Sequence, residues 1–125
     1  MKILFVCVGN SCRSQMAEGL ARSMGHDASS AGTYPAKTIA QHAVSVLENK
    51  GISTAGMVPK SVDDFQARDF DWVISMGCGV HCPAMKIDED WGLEDPVGRP
   101  YEVYEATAAE ILHNLQQLED HSSSD

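Results

Sequence analysis

The sequence predicts a small α/β protein with an open parallel sheet covered by helices on both faces. Short apolar runs, Lys2–Val6 and Asp71–Met76, alternate with segments whose apolar residues recur every three or four positions. The length of 125 residues, 43% of them hydrophobic, suits one domain with one core. Parallel strands joined by right-handed crossovers place helices on both faces of such a sheet. We therefore expect one domain over residues 1–120 and a frayed tail at residues 121–125.

The first half of the chain predicts the pattern strand, helix, strand, helix. After the first strand, an amphipathic helix is expected from near Arg13 to near Gly25. Its apolar stripe consists of Met16, Leu20 and Met24, and Gln15, Glu18 and Arg22 are expected to point away from the core. A weak strand follows at Ala28–Gly32. A second helical face then ends at Lys50–Gly51, where a cation and a glycine favour a helix C-terminus. That face consists of Ile39, Ala43, Val46 and Leu47.

The second half is less regular. Ser61–Arg68 is expected to be a short helix or turn that leads into the strand Asp71–Met76. The segment Gly77–Pro100 contains four glycines and three prolines, which predict long loops around a short helix and a brief strand near Asp88–Trp91. A final amphipathic helix starts at Tyr101. Its apolar residues are Tyr104, Ala108, Ile111, Leu112, Leu115 and Leu118.

The composition excludes several classes of function. Nine basic and eighteen acidic residues give a formal net charge of -9, which argues against nucleic acid or anionic membrane as a partner. No run approaches the ~20 apolar residues that a membrane span requires, and no signal peptide precedes the first strand. We therefore expect a cytoplasmic protein whose four cysteines are reduced thiols rather than structural disulfides.

The segment Cys7–Ser14, here called the anion loop, is the strongest chemical signal. It connects the first strand to the first helix, where inward backbone N–H groups and the helix N-terminus favour an oxyanion and the thiolate form of Cys7. Arg13 offers a planar fork for a tetrahedral anion, Asn10 can brace the loop, and Ser14 can donate to the thiolate. The expected anion-binding residues are Val8, Gly9, Asn10, Ser11, Cys12, Arg13 and Ser14.

Asp95 is the candidate proton donor. Ester cleavage at Cys7 needs an acid for the leaving oxygen, and Asp95-Pro96 lies in a loop, where proline biases the preceding residue toward an extended conformation. The alternative is that the pair forms an ordinary turn.

Cys78 and Cys82 follow the third strand and have three interpretations. The first is half of a zinc site, although no second ligand pair lies at the usual spacing. The second is a pair of buried structural residues. The third is a relay in which these thiols take over a disulfide from Cys7. No bound metal is expected. Cys12 has two interpretations, a side disulfide with Cys7 or a small residue that fills the loop.

Beyond these arguments, the chain resembles a known group. Cys7–Gly19 resembles the signature of the low-molecular-weight tyrosine phosphatase superfamily, in the form carried by its arsenate reductase branch. Trp91–Gly98 resembles the acid-loop region of that branch, and Ser30–Gly32 its second strand. The resemblance implies a flavodoxin-like four-stranded parallel sheet in the order 2-1-3-4. It also implies that Cys7 is the nucleophile, Arg13 the anion clamp and Asp95 the general acid.

Two features favour the reductase branch. Val97-Gly98 follows the Asp-Pro pair where the phosphatases usually have tyrosines, and the phosphatases lack a cysteine pair after the third strand. By resemblance, Cys7 attacks arsenate, Cys78 attacks the adduct to release arsenite, and Cys82 resolves the disulfide. Familiar thioredoxin-coupled members space these two cysteines further apart, so the reductant is a thioredoxin, a glutaredoxin or a low-molecular-weight thiol.

The resemblance leaves two other functions open and implies one possible ion site. A protein or small-molecule phosphatase with a phosphocysteine intermediate is the alternative enzyme, and a noncatalytic phosphate-binding or redox-sensing module is the alternative class. Some relatives bind potassium beside the anion loop through residues that match Asn10, Glu18 and Ser30, which implies a weak potassium site here, although the matching aspartate has no clear counterpart in Ser61–Asp64. We expect a monomer that binds arsenate or phosphate and requires no other cofactor.

Overall fold

The computed structural model describes residues 1–77 and 86–123, with side chains through residue 120. In chain order the elements are β1 Lys2–Cys7, α1 Arg13–Ser23, β2 Asp27–Gly32, α2 Gln41–Asn49, two 3-10 helices at Val62–Asp64 and Ala67–Asp69, β3 Trp72–Ser75, β4 Glu89–Asp90 and α3 Tyr101–Ser123. The strands form a four-stranded sheet in the order β2-β1-β3-β4. All three pairings are parallel, so the predicted sheet order is confirmed.

Strand β1 is central and fixes the position of the anion loop. It pairs with β2 from Lys2↔Asp27 to Cys7↔Gly32 and with β3 through Val6↔Ser75. Every residue of β1 after Lys2 is buried. Ligands of open α/β sheets bind beyond the carboxyl ends of the strands, and Cys7 lies at this end between two paired neighbours. The most constrained strand therefore carries Cys7.

The two faces of the sheet are covered differently. The three α-helices pack together on one face, whose largest fully buried residues include Ile3, Phe5, Met16, Leu20, Leu47, Ile111 and Leu115. The other face carries a smaller cluster of Leu4, Val6, Ala31, Val62 and Val73. Partly buried residues of the 3-10 segment, Phe65, Ala67 and Phe70, pack against that cluster. In the described residues, 3-10 helices rather than α-helices thus cover the second face.

The element boundaries differ from the predicted ones at two helices. Helix α2 begins at Gln41, after the extended backbone of Ala40, whereas the apolar pattern already includes Ile39. Helix α3 continues to Ser123, three residues into the expected tail, because neither glycine nor proline interrupts the chain there. Cys78 and Cys82 lie outside the described residues. In the described part of the chain, no helix is long and apolar enough to cross a membrane.

Candidate active site

The carbonyl groups of the anion loop point outward. They accept backbone hydrogen bonds from the segment after β2: Thr33 N–H to Cys7 (3.1 Å), Tyr34 N–H to Val8 (2.8 Å), Ala36 N–H to Gly9 (2.8 Å) and Ala40 N–H to Ser11 (2.8 Å). In a trans peptide the C=O of one residue and the N–H of the next point in opposite directions, and no cis peptide occurs in the described residues. The N–H groups that follow these carbonyls therefore point into the loop, as an oxyanion site requires.

Gly32 permits this close approach of β2 to the loop. A Cβ atom on Gly32 would lie 2.5 Å from the Val8 carbonyl oxygen and 3.1 Å from two atoms of Asn10. The loop itself bends at Asn10, which has a φ of 50°. Asparagine tolerates this left-handed conformation better than most residues. The close approach of β2 to the loop therefore requires a residue without a Cβ atom at position 32.

The sulfur of Cys7 lies among hydrogen-bond donors. Asn10 N–H donates to Cys7 Sγ at 3.1 Å, and Ser14 Oγ lies 2.8 Å from the same sulfur. Asn10 Nδ2 donates to Ser14 Oγ at 2.8 Å. When Cys7 is a thiolate its sulfur can only accept, so the Ser14 hydroxyl then donates to Cys7 Sγ. Two donors aimed at one buried sulfur suit a thiolate.

Arg13, near the end of the anion loop and at the start of α1, is buried, with only 4% of its surface exposed. Its Nη1 donates to the Leu93 carbonyl at 3.0 Å, and its Nη2 lies 3.8 Å from Asp95 Oδ2. Its Nε has no hydrogen-bond partner among the described residues. A buried guanidinium donor without a partner costs free energy, and a bound oxyanion would remove that cost.

The end of β3 holds Asp95 beside the anion loop. Leu93 N–H donates to the Met76 carbonyl at 2.7 Å, and a Cβ on Gly77 would lie 2.6 Å from Gly92 Cα. Gly77 has a φ of 117°, which also favours glycine. The Asp95 carboxylate accepts the Val97 N–H at 3.1 Å, so the Asp-Pro pair forms a turn, and this turn faces the cleft.

Together these elements enclose a cleft of about 370 Å³. It is lined by Cys7, Val8, Gly9, Ser11, Cys12, Arg13, Asp95 and Val97. The structure therefore brings Cys7, Arg13 and Asp95 together. Asn10 and Ser14, which were predicted to bind the anion, are fully buried, and their side chains are hydrogen-bonded to each other. The described residues contain no group of three or more His, Cys, Asp or Glu side chains that could hold a metal ion.

Cys12 is buried in the loop and carries a free thiol, as does Cys7. Burial, and then the negative charge of Asp95, raise the pKa of the Cys12 thiol from 9.0 to about 12. Its Sγ lies 3.7 Å from Asp95 Oδ1, where the thiol can donate a weak hydrogen bond. Cys12 is thus a neutral neighbour of Asp95 in this state of the molecule.

The Cys12 pKa predicts a loss of stability at alkaline pH. In the unfolded chain this thiol ionises near its ordinary pKa of 9.0, whereas in the folded chain it keeps its proton until about pH 12. Unfolding between these pH values releases a proton, so stability falls as the pH rises, by at most about 1.4 kcal/mol per pH unit. Denaturant unfolding of wild type and Cys12→Ser at several pH values measures this slope. The serine variant should lose less stability over the same interval, and equal slopes would contradict the assignment.

The face of α1 expected to be solvent-exposed is partly buried. Gln15 is fully buried and Glu18 is 1% exposed, so both are turned away from the main apolar core, as expected, but they are not exposed to solvent. Gln15 Nε2 donates to Asn10 Oδ1 at 3.1 Å and to the Val58 carbonyl at 2.9 Å. This side of α1 contacts the segment before the first 3-10 helix, which the helical period alone does not reveal.

The residues that match the potassium ligands of some relatives have other partners in this structure. Glu18 Oε1 accepts the Ser30 hydroxyl at 2.8 Å and lies 3.5 Å from Lys60 Nζ. Asn10 Oδ1 accepts the Lys60 N–H at 2.8 Å as well as the amide of Gln15. Because donors already occupy these oxygens, the residues do not fit a potassium ion while the Lys60 ammonium stays in place.

Sequence comparison gives two results. The model of the family described as low molecular weight phosphotyrosine protein phosphatase matches residues 2–124. A curated relative, the glutaredoxin arsenate reductase of Synechocystis sp., is 37% identical over 124 residues, which are 94% of this chain and 95% of the relative.

Comparison with solved structures finds proteins of the same two kinds, arsenate reductases and low molecular weight phosphatases. A solved structure of an arsenate reductase in the phosphate binding state matches with a TM-score of 0.84 at 38% identity, covering 94% of this chain and 95% of that one. The low molecular weight protein tyrosine phosphatase of T. tengcongensis matches with a TM-score of 0.80 at 31% identity, covering 97% and 99% of the two chains. Reductases and phosphatases thus share this fold, so the choice between them depends on individual residues.

Proposed function

Because the chain belongs to the low molecular weight phosphotyrosine protein phosphatase family, we propose that it is an arsenate reductase that uses Cys7 as its nucleophile. The observation that carries the proposal is the cleft lined by Cys7, Arg13 and the loop residues whose N–H groups point inward, beside a buried Arg13 Nε that has no partner among the described residues. Relatives at 37% and 38% identity are described as arsenate reductases.

In the first step the Cys7 thiolate attacks arsenate. A sulfur–arsenic bond forms, and one arsenate oxygen leaves as water after it is protonated. Arg13 and the inward N–H groups hold the remaining oxygens and the charge of the transition state. Ser14 and the Asn10 N–H, 2.8 Å and 3.1 Å from the sulfur, stabilise the thiolate before the attack.

In the second step Cys78 attacks the sulfur of Cys7. A Cys7–Cys78 disulfide forms, the sulfur–arsenic bond breaks, and its electron pair stays on arsenic, which leaves as arsenite. Cys82 then attacks Cys78 and frees Cys7. The balance is arsenate plus two thiols giving arsenite, one disulfide and water. This relay rests on the sequence, which places both cysteines directly after β3, the strand that pairs with β1.

An external thiol must then reduce the Cys78–Cys82 disulfide. We propose a thioredoxin-type protein, a glutaredoxin or a low-molecular-weight thiol. The name of the Synechocystis relative supports the glutaredoxin system.

Phosphatase activity is the alternative, and the position of Asp95 favours it as a side reaction. Asp95 lines the same cleft as Cys7 and its side chain is half-exposed, so it can protonate the leaving oxygen of a phosphate ester. Val97, which is 56% exposed, lines the cleft mouth directly after the Asp-Pro pair. A bare tetrahedral anion needs no larger aromatic contact at this place.

Replacement of Cys78 by serine separates the two reactions. We expect Cys78→Ser to lose steady-state arsenate reduction by more than about 10³-fold, because the arsenic adduct no longer meets a second thiol. Hydrolysis of an aryl phosphate should stay within about threefold of wild type, because that reaction needs only the anion loop and an acid. The measurement is consumption of reducing equivalents with arsenate, run beside release of the aryl alcohol.

A matched variant, Cys82→Ser, should form arsenite once and then stop with Cys7 in a disulfide. Unchanged arsenate reduction in Cys78→Ser would contradict the relay. Turnover of phosphate esters without any arsenate reduction in the wild type would overturn the proposed function.

A further inference from the structure

Glu18 places a carboxylate inside the protein beside the anion loop. Its side chain is 2% exposed, and an unpaired charge at such a site is costly. Its two oxygens have different partners. Oε2 lies 3.1 Å from Arg22 Nη1, whereas Oε1 accepts the Ser30 hydroxyl and lies 3.5 Å from Lys60 Nζ.

Lys60 is anchored by its backbone on both sides. Its N–H donates to Asn10 Oδ1 at 2.8 Å, and its carbonyl accepts the Gly32 N–H at 2.7 Å. One residue therefore connects the anion loop through Asn10 with the end of β2 through Gly32. These two hydrogen bonds fix the position of the Lys60 backbone, and therefore of its Cα atom.

The ammonium group of Lys60 lies among oxygen atoms. It donates to the Val58 carbonyl at 3.1 Å and faces Glu18 Oε1 at 3.5 Å. A carboxylate and a backbone carbonyl are also the ligands that hard metal cations take. Its side chain is 28% exposed, so a small cation from solvent could reach this place if the ammonium were absent.

We propose that Lys60 is a built-in counter-ion that takes the place of a bound monovalent cation beside the anion loop. The charge of Glu18 is balanced by the protein itself, and the loop stays ordered without potassium. The proposal concerns the support of the loop and does not depend on whether the cleft reduces arsenate or cleaves phosphate esters.

Arg22 supplies a matched control. It pairs with the other oxygen of the same carboxylate, but its side chain is 54% exposed and it makes no described contact with the anion loop. When Arg22 is replaced, the Lys60 ammonium still lies beside Glu18 Oε1, so no space opens there for a cation. A cation should therefore compensate for the loss of Lys60 but not for the loss of Arg22.

The test compares wild type, Lys60→Met, Lys60→Arg and Arg22→Met. Each protein is melted in KCl and in choline chloride at the same concentration, about 0.1 M, so that screening is equal. Binding of inorganic phosphate is measured in both salts. We expect Lys60→Met to melt about 5 °C below wild type in choline and to regain about half of that loss in KCl. Its phosphate affinity should be about fivefold weaker in choline than in KCl.

Wild type, Lys60→Arg and Arg22→Met should show no difference between the two salts. A wild-type protein that is stabilised by potassium over choline would overturn the proposal, and so would a Lys60→Met variant with equal melting and phosphate binding in both salts. If Lys60→Met does not fold, Lys60→Gln, which keeps a donor but removes the charge, replaces it under the same criteria.

Discussion

Cys7→Ser is expected to lose both arsenate reduction and aryl phosphate hydrolysis by at least about 10⁴-fold. The reason is geometric as well as chemical. Two donors, Ser14 Oγ and the Asn10 N–H, are aimed at the sulfur at 2.8 Å and 3.1 Å, an arrangement that stabilises a thiolate but cannot ionise an alkyl hydroxyl at neutral pH. Steady-state rates of the two reactions in the variant measure the loss.

The control is phosphate binding, because the inward N–H groups and Arg13 remain in the variant. Phosphate should still bind to Cys7→Ser, which shows that the loop is folded. Retention of either activity in a variant that binds phosphate would contradict the nucleophile assignment.

Arg13→Lys is expected to lower kcat/KM for arsenate by about 10³-fold. A guanidinium is a planar fork whose Nη1 reaches the Leu93 carbonyl at 3.0 Å, while its Nε has no hydrogen-bond partner among the described residues. A lysine ammonium keeps the charge but cannot make both contacts from one rigid group. The inhibition constant of phosphate should rise together with the loss of kcat/KM, and both are measured in one competition assay.

Arg99→Lys is the matched control for this substitution. Arg99 pairs with Glu94 at 2.7 Å, and both side chains are more than half exposed and outside the cleft lining. Surface pairs of this kind contribute little to stability, so its kinetics should stay close to wild type. An Arg13→Lys enzyme that retains kcat/KM within tenfold of wild type would show that Arg13 is not the anion clamp.

The grouping of Cys7 with Arg13 could be predicted from the residues, since a strand, a short loop and a helix that are contiguous in the chain bring them together. The parallel α/β class also follows from the alternation of strands and helices, whereas the sheet order 2-1-3-4 was implied by the family resemblance. The contacts that complete the site come from distant segments. Leu93 contributes a carbonyl oxygen, which every residue has, so no residue type marks it. Lys60 reaches the loop mainly through its backbone N–H.

The burial of Gln15 and Glu18 could not be read from helical periodicity. The pattern of Met16 and Leu20 identifies the face that packs in the main core, but it treats polar residues on the other side as exposed. In the structure a second segment, residues 58–60, covers that side of α1 and satisfies the polar groups with hydrogen bonds. In the sequence, a polar residue that is buried with a hydrogen-bond partner cannot be distinguished from an exposed polar residue, because the partner comes from a distant segment.

The most direct test of the central claim is a single turnover without any external reductant. Fully reduced protein is mixed with arsenate, arsenite is quantified, and the disulfides are mapped by mass spectrometry. We predict about one arsenite per chain and a disulfide between Cys78 and Cys82, with Cys7 returned to the thiol. A protein that forms no arsenite and keeps all of its thiols free, while it still hydrolyses an aryl phosphate, would contradict it.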